Sequence, residues 1–248
     1  MKALILAAGE GTRLRPLTLV KPKPMLPVAG QPLIEHIITW LRSYGVEQIV
    51  INLHYKPETI TSYFGDGHSW GVKIIYSYED PILGTAGAAK KLQDFLDQSF
   101  LVVYGDVLTD LDLKALVAFH RIQIAACASP FLTMALYCVP NPTEVGLVEL
   151  SSPDGGLVTR FLEKPRPEEV FTNLANAGVL VVEPGILDHI PSGVFYDFGH
   201  DLLPKLLEEG MSMYGWPVPN NTYLIDIGSP EKYERVQKEW PVISRRCR

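Results

Sequence analysis

Residues 2–16 read KALILAAGEGTRLRP, an apolar run from Ala3 to Ala8 that breaks at Gly9 and Gly11 into Thr12, Arg13, Arg15 and Pro16. A short unbroken apolar run bounded by glycine reads as a strand buried on both faces, as in a parallel sheet. Glycines just behind such a strand let backbone N–H groups come close to an anion. Arginine adds a planar fork for phosphate oxygens, and lysine a point charge. A tight surface turn with solvated charges is the other reading of these residues taken alone.

Spacing excludes two familiar phosphate loops. A P-loop needs two glycines four residues apart followed by Lys and Ser or Thr, and from Gly9 the second glycine would fall on Leu14. The dinucleotide fingerprint G-x-G-x-x-G also requires glycine where Leu14 stands, and Pro16 would remove a backbone donor where its helix should be running. A nicotinamide-dependent oxidoreductase also needs an acid at the end of the second strand, and INLHYK (51–56) offers none. What remains is a strand and glycine turn followed by Arg13, Arg15, Lys21 and Lys23.

The 248 residues, 47% of them apolar, suffice for one large domain or two small ones. A net charge of −6 argues against a nucleic-acid partner. Residues 1–23 nevertheless hold five basic groups against the single acid Glu10, which favours a small anionic ligand. Cys127, Cys138 and Cys247 show no paired spacing for zinc or a disulfide framework, so a reducing, cytoplasmic setting is expected. No targeting segment or membrane-spanning run is read, and no membrane partner is expected. The basic tail ISRRCR, residues 243–248, carries no pattern and is expected to fray.

Outward from the first strand, strand and helix patterns alternate: QPLIEHIITWLRSYG as a helix with Pro32 in its first turn, EQIVINL as a strand, PETITSYF as a helix, VKIIYSY as a strand. TAGAAKKLQDFL, FLVVYGD and DLKALVAFHR continue the alternation, which predicts a mainly parallel sheet flanked by helices. From about Pro130 the rhythm changes to FLTMALYCV, GLVEL and LVTRFLEK, strand-like runs joined by short turns, so an antiparallel elaboration is expected. AGVLVVE and TYLIDIG read as further strands, and FGHDLLPKLLEEG as a helix that Pro204 kinks or starts. SPEKYERVQKEW reads as a final helix capped by Ser229. No repeat or low-complexity linker interrupts the chain.

Four further stretches carry chemistry, each with a plainer alternative. Asp106 in VVYGDVLTD and Asp226 in YLIDIGSPEKY end strands, where carboxylates can hold Mg²⁺; a capping aspartate is the alternative and suits Asp110 or Asp112 better. In RFLEKP, Glu163 can accept from sugar hydroxyls and Lys164 can hold a phosphate; an exposed ion pair at a turn is the alternative. In ILGTAGAAK, Gly84, Thr85 and Gly87 leave room for a planar base, or simply start a helix that Thr85 caps.

Taken together and in order, LAAGEGTRLRPLT, KPKPMLPV, LGTAGAA, YGD, EVGLVEL, FLEKP, NAGVLVVEP and DIGSPEKY resemble the sugar nucleotidylyltransferases, or nucleotide-sugar pyrophosphorylases, across Met1 to about Trp240. The resemblance implies their Rossmann-like fold, a mainly parallel mixed sheet flanked by helices with an antiparallel sugar-binding elaboration. It implies one catalytic domain over 1–240, with a nucleotide-binding half (1–130), a sugar-phosphate-binding half (131–240) and a tail (241–248). It implies transfer of a nucleotidyl group from a nucleoside triphosphate to a sugar 1-phosphate, with release of pyrophosphate and with Mg²⁺ as cofactor. A homo-oligomer is compatible with the family.

By matching motif, Arg13, Lys23, Asp106 and Asp226 would be catalytic, with the two aspartates on the metal. Leu6, Ala8, Gly9, Gly11, Thr12, Arg13, Lys23, Glu79, Gly84, Thr85 and Asp106 would line the nucleotide. Gly146, Glu163, Lys164 and Asn176 would hold the sugar phosphate; Arg15 and Lys21 would shape the local field. KPKP and LGTAG resemble mannose-1-phosphate guanylyltransferases most closely, here lacking the C-terminal left-handed β-helix that many of them carry. Glu79, an acceptor-only side chain when ionised, would suit the N1–H and 2-amino donors of guanine. Uridylyl and thymidylyl relatives acting on glucose 1-phosphate or an amino-sugar 1-phosphate are the alternatives, as is a non-catalytic nucleotide-sugar-binding subunit. Intact charge at Arg13, Lys23, Asp106, Lys164 and Asp226 argues against the last.

Overall fold

The structure, a computed structural model, describes residues 1–126 and 130–243. Cys127, Cys247 and tail residues 244–248 lie outside the described residues. The strands are β1 (Lys2–Leu6), β2 (Pro27–Val28), β3 (Gln31–Pro32), β4 (Gln48–Leu53), β5 (Lys73–Tyr78), β6 (Phe100–Tyr104) and β7 (Val107–Thr109). They continue as β8 (Pro130–Cys138), β9 (Gly146–Leu150), β10 (Gly156–Glu163), β11 (Leu174–Val182), β12 (Ser212–Pro217) and β13 (Leu224–Asp226). The α-helices are α1 (Leu17–Val20), α2 (Leu33–Ser43), α3 (Pro57–Phe64), α4 (Gly84–Lys91), α5 (Leu113–Ala126), α6 (Leu203–Glu208) and α7 (Pro230–Ile243).

The chain divides into two compact units that alternate along it. The first comprises Met1–Ile82, Val103–Leu111 and Asn221–Arg248; the second comprises Leu83–Val102 and Asp112–Asn220.

In the first unit β1 lies between its parallel neighbour β4 and the end of β6, and β4 pairs parallel with β5. Ala3, Leu4 and Ile5 have no exposed surface, which explains the unbroken apolar run. Helix α2 buries Leu33, Ile34, Ile37, Ile38 and Leu41, one face at helical spacing, and stops before Gly45, whose φ of 80° is left-handed. Its first residue is Leu33. Pro32 stands just before the helix rather than in its first turn, because its extended ψ of 141° places it at the cap. Strands β7 and β13 pair antiparallel. Helix α7 sets Val236 and Trp240 into a cluster with Leu14, Leu26, Val28, Leu33, Leu108, Ile225 and Ile227. Leu14 thereby anchors the basic loop from its underside. Ser229 caps α7 as expected, its Oγ accepting from the Lys232 N–H at 3.3 Å.

In the second unit β8 pairs antiparallel with β11 and parallel with β12, while β10 pairs antiparallel with both β12 and β9. The expected antiparallel elaboration is these strands. Asp112 caps α5, accepting from the N–H groups of Lys114 at 2.9 Å and Ala115 at 3.2 Å. Helix α4 is shorter than the run TAGAAKKLQDFL predicts and ends at Lys91. Its cap is Leu83, not Thr85. Pro204 sits in the first turn of α6 and so marks a helix start; one wide π-turn, Phe198–Leu202, leads into it.

Candidate active site

The first unit gathers four of the predicted charged residues. Asp106 lies in the turn between β6 and β7, held where Gly105 N–H donates to the Leu6 carbonyl at 2.9 Å and the Ile227 N–H donates to the Asp106 carbonyl at 2.8 Å. Asp226 closes β13, paired with Val107 beside it. Two aspartates more than a hundred residues apart in sequence thus stand at one end of an antiparallel pair, Asp106 just before β7 and Asp226 at the end of β13. The Lys23 ammonium donates to Asp106 Oδ2, its side chain 13% exposed. Burial pushes the Asp106 carboxyl up, but the charge and hydrogen bond of Lys23, with smaller help from a backbone bond and the Arg13 guanidinium, hold it below the ordinary carboxylate range. Gly228 completes the cluster by having no side chain. A Cβ there would stand 2.8 Å from Asp226 Oδ2 and 3.2 Å from Arg13 Nη2.

Lys232, two residues into α7, donates to Asp226 Oδ1 at 2.6 Å. This lysine lies within DIGSPEKY, where the sequence reading gives it no role; it reaches the site because the cap at Ser229 starts α7 immediately behind the strand end. Each aspartate therefore has one oxygen on an ammonium group.

The glycine loop curls next to this cluster. Gly11 takes a left-handed φ of 65°, and its carbonyl accepts from Thr18 Oγ1 at 2.9 Å. Thr12–Leu14 form a single 3-10 turn. Among the described residues, the N–H groups of Gly9, Glu10, Gly11 and Thr12 donate to no protein acceptor. Gly9 has nothing within 4 Å of where a Cβ would be. Such free amides beside basic side chains suit an anion. Ala8 is buried and Leu6 half-buried at the strand end. Arg15 instead forms a surface pair with Glu10 at 3.0 Å, and Lys21 is exposed. Glu79, just past β5, is only 3% exposed and accepts from Asn52 Nδ2 at 2.9 Å.

The second unit holds the residues predicted for the sugar phosphate. Gly146 and Glu163 are register partners of β9 and β10. The Glu163 carboxylate sits between two glycines: Oε2 is 2.5 Å from a Cβ built on Gly146 and 2.6 Å from one built on Gly199. Burial raises its pKa above the ordinary 4.5, against the opposing pull of Lys164 and His200. Lys164, at a left-handed φ of 46°, has a half-exposed side chain whose Nζ is 3.7 Å from Glu163 Oε1. Because Glu163 is largely buried, this is not the exposed surface pair that the turn alone would suggest. Asn176 begins an irregularity in the β11–β8 register and accepts from the Gly178 N–H at 3.0 Å.

Gly84, Thr85 and Gly87 are engaged within the same unit. The Ala86 and Gly87 N–H groups both donate to the Tyr196 carbonyl at 3.0 Å, and a Cβ on Gly84 would stand 2.5 Å from that oxygen. Thr85 Oγ1 donates to Asp197 Oδ2 and accepts from the Phe198 N–H, each at 2.8 Å. The small residues here serve close approach of another backbone segment.

A strand-end glycine loop with free amides thus stands beside a paired-aspartate cluster. The chain belongs to the nucleotidyl transferase family, whose profile matches residues 2–241. A UTP–glucose-1-phosphate uridylyltransferase of Synechocystis is 40% identical over 245 residues, 94% of this chain and 61% of that protein. A mannose-1-phosphate guanylyltransferase of Mycobacterium tuberculosis is 37% identical over 235 residues, 94% of this chain and 62% of that protein. The chain spans about three fifths of the length of these relatives. The solved structure of HddC from Yersinia pseudotuberculosis complexed with GMP-PN superposes with a TM-score of 0.75 at 26% identity, covering 96% of this chain and 99% of that one. The fold is the mixed, mainly parallel sheet flanked by helices of the nucleotide-diphospho-sugar transferases. No helix among the described residues is long and apolar enough to cross a membrane.

Proposed function

We propose that this protein transfers a nucleotidyl group from a nucleoside triphosphate to a sugar 1-phosphate, releasing pyrophosphate. The observation that carries this reading is the convergence of Asp106, Asp226, Lys23 and Arg13 beside the free amides of the glycine loop. A phosphate oxygen of the sugar phosphate attacks the α-phosphorus in line, and pyrophosphate leaves opposite. No enzyme nucleophile is needed, so the protein's work is positioning and charge neutralisation.

The loop amides from Gly9 to Thr12 bind the triphosphate. Arg13 neutralises the departing β- and γ-phosphates, and Lys23 contacts the phosphates from the Asp106 side. Lys164 grips the sugar phosphate, and Glu163 and Asn176, with the backbone at Gly146, read the sugar. Asp106 and Asp226 suit Mg²⁺, a hard cation commonly held by one or two carboxylates with substrate phosphates completing its shell. Bound there, Mg²⁺ supplies charge neutralisation at the reacting phosphates. Lys23 and Lys232 each offset the charge of one carboxylate and so reduce the repulsion between the two aspartates.

For the base and sugar we propose guanine and mannose, from the buried acceptor Glu79 and the guanylyltransferase relative. A second reading, UTP with glucose 1-phosphate, is favoured by the 40% identical uridylyltransferase. The test is pyrophosphate release with the four common ribonucleoside triphosphates and dTTP against mannose, glucose, galactose and amino-sugar 1-phosphates. The fastest reaction is expected with GTP and mannose 1-phosphate. A maximum at UTP and glucose 1-phosphate selects the second reading, and no release with any pair ends the proposal.

A further inference from the structure

Three adjacent parallel strands end side by side in the first unit: β1 at Leu6, β4 at Leu53 and β5 at Tyr78. One hydrogen-bonded chain crosses their carboxyl ends. The Ala7 N–H donates to Asn52 Oδ1 at 2.7 Å, and Asn52 Nδ2 donates to Glu79 Oε1 at 2.9 Å. Ala7, Asn52 and Glu79 are each no more than 5% exposed. The neighbours of Asn52 along its strand are Ile49, Val50, Ile51 and Leu53, all buried. A polar link kept in such surroundings is costly unless every member is satisfied.

The direction of the link is not free. A backbone N–H can only donate, so Ala7 draws the amide oxygen of Asn52 towards β1 and leaves its NH₂ facing Glu79. The Glu79 backbone is pinned separately: its N–H donates to the Leu53 carbonyl at 2.8 Å, and its carbonyl contacts His54 Nδ1 at 2.8 Å. What remains variable at Glu79 is rotation of the side chain, and the Asn52 amide restrains it.

We propose that Asn52 is a positioning residue for base selectivity: by always presenting a donor to Glu79, it turns the carboxylate so that acceptor lone pairs face the base. This rests on the reading of Glu79 as the guanine-facing group. Asn52 takes one of about four lone-pair sites on an ionised carboxylate and orients the others. Ala7 lies two residues before Gly9, so the same amide ties the start of the phosphate loop to the base reader.

The inference gives an unusual test, because the polarity of the link can be reversed. In Glu79→Gln the new amide accepts from Asn52 with its oxygen and shows its NH₂ to the base. The GTP-to-UTP ratio of kcat/KM should fall about tenfold or more. In Asn52→Asp/Glu79→Gln the aspartate accepts both from Ala7 and from the new amide's NH₂. The amide is then turned over, its carbonyl faces the base, and most of the lost GTP preference should return although position 79 is unchanged. A folded double variant that keeps the ratio of Glu79→Gln overturns the proposal. Asn52→Ser, which drops the link to Glu79 without adding charge, provides a second arm. Its KM for GTP should rise about threefold or more with kcat held, and an unchanged ratio of GTP to UTP overturns the proposal. A wild-type preference for UTP, or a Glu79→Gln ratio equal to wild type, overturns the guanine assignment and this inference together while leaving nucleotidyl transfer standing.

Discussion

Arg13 acts on Asp106 through its charge and shares the space beside Gly228 with Asp226. A cation whose partner gains negative charge as a bond breaks should be felt in turnover more than in ground-state affinity. Arg13→Ala is expected to lower kcat by about 10²–10³-fold with a smaller change in the KM for the sugar phosphate, by analogy with other lost transition-state donors. Steady-state kinetics with near-normal turnover would remove Arg13 from the reaction. At the other cluster the pressing point is Gly199. Gly199→Ala would drive a methyl group to 2.6 Å from Glu163 Oε2, closer than real carbon atoms approach. The carboxylate must rotate away, so the KM for sugar 1-phosphate should rise about tenfold while the KM for the triphosphate stays put. Parallel increases in both constants would show that Glu163 does not read the sugar. Residues of this kind divide sharply in how legible they are. Arg13, Lys23, Asp106 and Asp226 stand in short motifs whose order identifies them. Lys232 stands in the same DIGSPEKY motif as Asp226, but the letters alone give it no role; its contact with that aspartate depends on where α7 starts.

Among the elements, α7 and β13 return from the end of the chain to hold the earliest loop. Trp240 is 5% exposed in the cluster that includes Leu14, and its Nε1 donates to His36 Nδ1 at 3.2 Å. Trp240→Ala should cost about 3–5 kcal/mol, read from the urea midpoint, as for other large-to-small core changes. A loss under 1 kcal/mol would mean that α7 contributes little to the unit. In the second unit α5, β8 and the end of β11 meet at His120, which is 1% exposed with Nδ1 at 2.9 Å from Thr133 Oγ1 and Nε2 at 3.1 Å from Glu183 Oε1. Burial lowers its pKa below the ordinary 6.5, although Glu183 pulls the other way. On acidification the unfolded chain therefore takes up this proton first. The stability linked to it is whole above pH 6.5 and is lost as pH falls from there through the lowered folded value. His120→Gln should flatten the decline in urea midpoint between those limits, and parallel curves for variant and wild type would refute it. Elements with a clear period were readable from the sequence: β1, α2, β4, β5 and α7 lie where alternation and caps place them. The start of α4 and the wide turn at Phe198 were not, because the contacts that join Leu83, Thr85, Ala86 and Gly87 to Tyr196 and Asp197 span more than a hundred residues.

At the scale of the whole molecule, family and fold were legible because eight short motifs in fixed order are improbable by chance, whereas the base and sugar were not. That choice depends on a few hydrogen-bond directions, such as the one Asn52 imposes, which no run of letters displays. The relatives divide in the same way, one uridylyl and one guanylyl at 40% and 37% identity. The two compact units meet along the sequence after Ile82, Val102, Leu111 and Asn220. A gene exchange with a single crossover, anywhere in the reading frame, would therefore leave at least one unit as a patchwork of two parents. Grafting the Glu163-bearing unit from another lineage requires breakpoints at all four seams at once. Altered sugar preference in this protein should then arise by point substitution within inherited strands, rather than by shuffling of exon-sized modules.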